Sequence, residues 1–247
     1  MAYRGGQQAT NRWFRVPLRP GFPARGTGCC PPLRDATTLY LGLDDFMDAD
    51  RHAQWFGGFF IFNPKVKTVT RFYRDGKLVK RVKDSFAVLP MARGPAGYRI
   101  ERDVDASALL PLSGRSLTVW TFRSKAPAKP WTPVRLMEVD WNLQVDAHGR
   151  ALVPPARKGP PLVGFRVRSA PGTSPVVIRG LRLLASADGG HTWTEVRARH
   201  LGYGTYRAEL PSRLLRPGGY VSLLVRAEER GGGRIEQRIL RAYAVPR

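Results

Sequence analysis

TVTRFYRDGKLVKRV, Thr68 to Val82, decides the fold class. It reads as strand, turn, strand. Asp75-Gly76 supplies the positive φ that a tight hairpin requires, and extended apolar and basic residues flank it on both sides. Outward from this hairpin the same pattern recurs. Leu39, Leu41 and Leu43 alternate, with one face inward. WFGGFFIF (Trp55 to Phe62) is an apolar run with a glycine pair, suited to a buried strand with a bulge. FAVLP, YRIERDV and LTVWTFRS follow. In the last of these Leu117, Val119 and Thr121 point one way, and Thr118, Trp120 and Phe122 the other. Between 26 glycines and 21 prolines no helix-period stretch survives for more than a turn or two.

The second half reads the same way. Strands are expected near Arg135–Trp141, Leu162–Arg168, Val176–Ser186, Thr192–Arg197, Thr205–Leu210, Tyr220–Glu228 and Arg234–Val245, with loops at Pro154–Pro161 and Gly231–Gly233. That number of strands, with turn signals between them, is what an immunoglobulin-like sandwich needs. The expected fold is therefore all-β, two immunoglobulin-like or fibronectin-like β-sandwiches in series. Residues 1–36 read as an extended lead-in, 37–124 as the first sandwich, 125–133 as a linker and 134–247 as the second sandwich. In the lead-in, WFRVPLRPGFP (Trp13 to Pro23) sets aromatic anchors between prolines, the mark of an edge strand or a strap laid on a domain. KAPAKPWTP (Lys125 to Pro133) reads as semi-rigid.

Composition narrows the function classes. The chain has 247 residues, 43% of them hydrophobic, which builds real cores and excludes a disordered class. The formal charge is +22, from 41 basic and 19 acidic residues. Such a field attracts anions: nucleic acid, acidic polysaccharide, anionic lipid or cell-wall polymer. The arginines are dispersed rather than set in one stripe, so specific nucleic-acid recognition is not expected. No apolar run is long enough for a membrane span, and the opening MAYRGGQQATNRW lacks the apolar core of a signal peptide. Cys29 and Cys30 are adjacent and make no disulfide framework. They read as a strained vicinal ring, as a link to another chain, or as free thiols.

The sharpest local pattern is SADGGHTW, an Asp box formed by Ser186, Asp188, Gly190, Thr192 and Trp193. Asp188 is placed to accept backbone N–H groups across the turn, the glycines take unusual φ, and Trp193 packs under the hairpin. This is a structural staple. Sialidase propellers carry one box per blade, but here there is one copy and no blade repeat. Single boxes also occur in immunoglobulin-like domains, including the dimerisation domain of sulfite oxidases. Gly172-Thr173-Ser174 looks superficially like a subtilisin nucleophile motif. Pro175 and a strand pattern follow it, and none of His52, His148, His191 or His200 lies in a recognisable base motif. Catalytic residues and cofactors are therefore not expected. Asp44, Asp45, Asp48, Asp50 and His52 form an acidic cluster, read either as a calcium site or as a polar turn between Leu43 and Trp55. Of the tryptophans Trp13, Trp55, Trp120, Trp131, Trp141 and Trp193, most read as core rather than as a carbohydrate-stacking platform. Trp131 is the one expected to be exposed.

The order of segments carries a resemblance. RWFR and PLRPGFP come first, then FYRDGKLV, the Tyr98-Arg99 strand and VWTFRS, then the Asp box and the closing YVSLLVRAEERGGGRIEQRILRAYAV. Together they resemble the non-catalytic C-terminal region of large secreted subtilisin-like serine peptidases of actinobacteria. The resemblance implies an extracellular setting and an upstream subtilisin-like catalytic domain as partner, which this chain packs on or positions. Two other functions stay open on the residues alone: a basic binding module for anionic cell-wall polymer or polysaccharide, and an immunoglobulin-like dimerisation domain.

Overall fold

The computed structural model of the chain describes residues 14–23, 31–52, 63–152 and 161–247, and it is built almost wholly of strands. In chain order these are β1 (Arg19–Gly21), β2 (Leu33–Arg34), β3 (Thr38–Gly42), β4 (Asp44–Met47), β5 (Lys67–Arg74), β6 (Lys77–Val82), β7 (Phe86–Pro90), β8 (Ala96–Asp105) and β9 (Arg115–Ser124). They continue with β10 (Thr132–Pro133), β11 (Met137–Leu143), β12 (Leu162–Ser169), β13 (Ile178–Ser186), β14 (Thr194–Val196), β15 (Ala198–Gly202), β16 (Thr205–Glu209), β17 (Tyr220–Glu229) and β18 (Arg234–Ala244). The hairpin that decided the fold class is present: β5 and β6 pair antiparallel across Asp75 (φ 48°) and Gly76 (φ 81°). β15, between the expected strands of the second half, has no counterpart in the sequence reading.

The fold is an all-β sandwich. Its backing layer is one eight-stranded sheet, β14-β13-β17-β18-β9-β8-β5-β6. Two four-stranded sheets lie on it, β10-β2-β3-β7 over the first half and β11-β12-β16-β15 over the second. Tyr98 of β8 ties the first pair of layers, its hydroxyl accepting from the Ala92 amide at 2.8 Å. Trp141 of β11 ties the second, its indole donating to Gln237 of β18 at 2.9 Å. Trp120 of β9 crosses between halves and donates to the Met137 carbonyl at 2.7 Å.

The larger sheet thus runs through both halves of the chain. The joint is the antiparallel pairing of β18 with β9, from Arg234 opposite Thr121 to Leu240 opposite Arg115. Both strands alternate in phase, so Trp120 and Ile235, and Thr118 and Gln237, all turn inward. One apolar cluster runs through both halves and includes Leu39, Tyr98, Trp120, Trp141, Phe165 and Ile239. Residues 125–133 are laid against the first half. Ala126 N–H bonds to Arg93 O at 2.9 Å, and β10 pairs with β2.

Residues 16–23 of the lead-in form a buried strap. Leu18, Arg19 and Phe22 are almost without exposure, β1 pairs with β4, and the Phe22 ring lies 5.5 Å from that of Trp120. Residues 33–34, placed in the lead-in by the sequence, supply β2. Trp120 and Trp141 are core, Trp193 is half-buried and Trp131 is exposed. Trp13, WFGGFFIF with Trp55, Cys29, Cys30 and most of the Pro154–Pro161 loop lie outside the described residues. No helix among the described residues is long and apolar enough to cross a membrane.

Candidate functional site

β11 alternates strictly. Met137, Val139, Trp141 and Leu143 turn into the core, so Glu138, Asp140 and Asn142 face the other way. On β12, Arg166 and Arg168 share that outer face, opposite Asp140 and Glu138 in register. The strap then crosses it, bringing Arg19, and the turn after β4 brings Arg51. The result is a closed cluster of three guanidinium and two carboxylate groups. Arg168 binds both acids, at 2.8 Å to Glu138 and 2.7 Å to Asp140. Arg51 does the same at 3.2 and 2.9 Å. Arg19, wholly buried, bonds Asp140 and lies 3.6 Å from Glu138. Glu138 also accepts the Phe22 amide at 3.2 Å. Burial pushes its carboxyl up to about 7, against the pull of Arg19 and Arg51 and with help from the neighbouring Asp140 charge. Gly21 is required here because a Cβ would sit 2.5 Å from Arg19 and 3.2 Å from Glu138.

Beside this cluster the strap and the outer face bound a cleft of about 580 Å³. Its floor is Asn142 and Gly164; its walls carry Arg15, Arg51, Arg166 and Arg207 against Asp50 and Asp140. Arg15 is engaged by Asp50 at 2.8 Å and by the Leu143 carbonyl at 3.2 Å. Among the described residues Arg166 donates only to the Tyr203 carbonyl, at 3.2 Å. Among the described residues no carboxylate lies within ion-pair distance of Arg166 or Arg207. Arg207 stands directly opposite another cation, Arg199 of β15. The far end of the cleft is therefore a cationic rim with unspent charge.

Of the residues singled out by sequence, Asp50 lies in the cleft wall, while the Asp box and the rest of the acidic cluster fall elsewhere. In the Asp box, Asp188 accepts the amides of His191 and Thr192 at 3.0 Å each, the Ser186 hydroxyl at 2.7 Å and the Thr192 hydroxyl at 2.5 Å. Those two hydroxyls first, then the amides, hold its carboxyl well below the usual carboxylate range. Ser186 in turn accepts the Gly190 amide at 2.9 Å, and Gly190 has φ 91°. Trp193 lies against Gly190 but is only half-buried, so the box staples a surface hairpin.

The acidic cluster separates. Asp45 is bidentate to Arg102, Asp50 goes to Arg15, and Asp44 caps the Phe46 amide. Asp48 gathers the Asp50 and His52 amides and His52 Nδ1 at 2.9 Å. Among the described residues no group of three or more His, Cys, Asp or Glu side chains is set to hold a metal ion. Ser174 is exposed on the segment before β13. His148 lies in a turn closed by Asp146, and the His200 ring rests 4.9 Å from Tyr206.

The buried cluster was not among the residues read from sequence. A signal was present: an acid pair at Glu138 and Asp140 and a basic pair at Arg166 and Arg168, each with the spacing of one strand face.

No family model matches the chain, and no curated protein matches it.

Proposed function

We propose that this chain is a non-catalytic accessory module that holds an anionic segment of cell-wall polymer or polysaccharide in the arginine-walled cleft. The resemblance to the C-terminal region of subtilisin-like peptidases supplies the setting, a catalytic domain that this module packs on or positions. The observation that carries the binding reading is the rim of Arg166 and Arg207, two guanidinium groups over an open cleft without a partner carboxylate among the described residues. Guanidinium presents a planar fork of donors that fits carboxylate, sulfate or phosphate. The closed cluster behind the rim fixes the wall, because Arg51 and Asp140 belong to both.

The test uses a glycerol-phosphate polymer and polyglutamate as probes, titrated at several salt concentrations. Binding is expected to weaken steadily with salt, as counterion release requires. Arg166→Ala/Arg207→Ala should weaken it about tenfold at low salt, while a double substitution at Arg179 and Arg182, on the other sheet, should not. Equal affinity of the cleft variant and the parent overturns the reading. Turnover of casein, or labelling of Ser174 by a fluorophosphonate, overturns its non-catalytic part.

A further inference from the structure

The outer face of the sheet β10-β2-β3-β7 carries an aromatic shelf that shares no residue with the charged cleft. Leu39 and Leu41 of β3 turn inward and are fully buried, so Tyr40 between them points outward. Its register neighbours are Leu33 of β2 and Val88 of β7, giving an apolar row across three strands. Trp131 folds down onto this row, its ring centroid 4.6 Å from that of Tyr40 and its plane tilted by 32°. The indole is nevertheless 55% exposed.

The placement of Trp131 is enforced. Its φ is 58°, a region that bulky residues avoid and that persists only where the surroundings over-determine it. Pro130 precedes it, Thr132 donates its hydroxyl to the Lys129 carbonyl at 2.7 Å, and β10 then locks onto β2. Hydrogen-bonding groups rim the shelf. Asp35 accepts from the Thr37 and Thr38 amides at 2.8 and 2.7 Å and from the Tyr40 hydroxyl at 3.3 Å. Those bonds, the Thr37 amide first, hold its carboxyl below the usual carboxylate range, so it stays an acceptor. Lys80 anchors to the Val88 carbonyl at 2.9 Å.

We propose that Trp131 and Tyr40 form a stacking shelf for a pyranose ring of a neutral polysaccharide. A sugar ring has an apolar C–H face and a hydroxylated edge, which match a rigid indole with a polar rim. Pre-organisation of the indole removes the ordering cost of binding. The size of the shelf argues against a protein occupant. Its exposed apolar residues are Trp131 and Val88, a small fraction of the roughly 800 Å² per partner of a stable protein interface.

The experiment titrates the full chain with two hexasaccharides, one of β-1,4-linked glucose and one of N-acetylglucosamine, following intrinsic fluorescence and heat. Salt is set high enough to screen the arginine cleft. One of the two is expected to bind. Trp131→Ala should lose about tenfold in affinity with its melting temperature unchanged, and Trp131→Phe should keep most of it. Arg166→Ala/Arg207→Ala should bind as the parent does, which separates this site from the polyanion cleft. No binding of either sugar at millimolar concentration overturns the proposal, as does equal affinity in Trp131→Ala. A concentration-dependent dimer abolished by Trp131→Ala overturns it too, by making a second copy the occupant.

Discussion

Removing the Asp45 carboxylate should cost more stability than any other single surface-to-core charge change in the first half. Arg102 is wholly buried on the inner face of β8, and Asp45 is nearly so. They meet through two bonds, Nε to Oδ1 at 2.7 Å and Nη2 to Oδ2 at 2.6 Å. Two neutral acceptors complete the arginine, Thr70 Oγ1 at 2.9 Å and the Asp84 carbonyl at 2.8 Å. Asp45→Ala leaves a full charge in the core with only those two. At an effective dielectric of ~20 the lost Coulomb attraction is about 4 kcal/mol, and breaking buried pairs costs about 3–5 kcal/mol. Urea unfolding followed by the fluorescence of buried Trp120 and Trp141 measures it. Asp45→Ala/Arg102→Met removes both charges and should recover to within about 1–2 kcal/mol of the parent, since a buried pair contributes little net stability. A loss below about 1 kcal/mol in Asp45→Ala alone would refute the reasoning, because the arginine would then be solvated or otherwise neutralised.

Glu138 should give the fold a pH dependence near neutrality. Its carboxyl sits at about 7 when folded against an ordinary 4.5, so the folded state binds the proton more tightly. This contribution is full below the lower value and is lost as pH rises through the upper, about 3 kcal/mol in all. Unfolding free energies of the parent and Glu138→Gln between pH 5 and 8 should converge at the acid end; parallel curves would contradict it. Trp193→Ala should cost about 1–2 kcal/mol, less than the 3–5 kcal/mol of a core aromatic such as Trp141, because its indole is half-buried. Thermal melts of both variants decide the order, and an equal loss would place Trp193 in the core. A fragment of residues 126–247 should not melt cooperatively, because β18 loses β9 and the shared core is cut open. A sharp calorimetric transition in that fragment would show the halves to be autonomous.

The strand pattern was legible because its signals are local. Asp75-Gly76 and the alternation of Leu117 to Phe122 each need only their own few residues to speak. The Asp box was legible for the same reason, since Asp188 bonds within four positions of itself. The β9–β18 joint was not, because neither strand encodes which edge it will meet. Thr118 facing Gln237 is a contact across 119 positions, with nothing between them to announce it. The charged cluster draws Arg19, Arg51, Glu138, Asp140 and Arg168 from four separate stretches. Read singly, each looks like a solvated polar residue, and the strap and the turn after β4 together bring them into one cluster. The acidic run at 44–50 left two readings open for the converse reason. Closeness in sequence does not fix where side chains go, and alternation and the turn send these carboxylates to different donors.

The place of β18 sets a clock on the birth of this protein. A chain made from its N-terminus completes β9 at Ser124, yet the strand that covers its open edge begins at Arg234. At ~5–20 residues per second, the intervening 109 residues leave that edge bare for roughly 5–20 seconds. During that time it is a template for any extended neighbour. Arg115, Thr121 and Arg123 on its solvent-facing side supply polarity and like charge throughout the wait. Two arginines of the basic excess thus act as gatekeepers of the nascent edge.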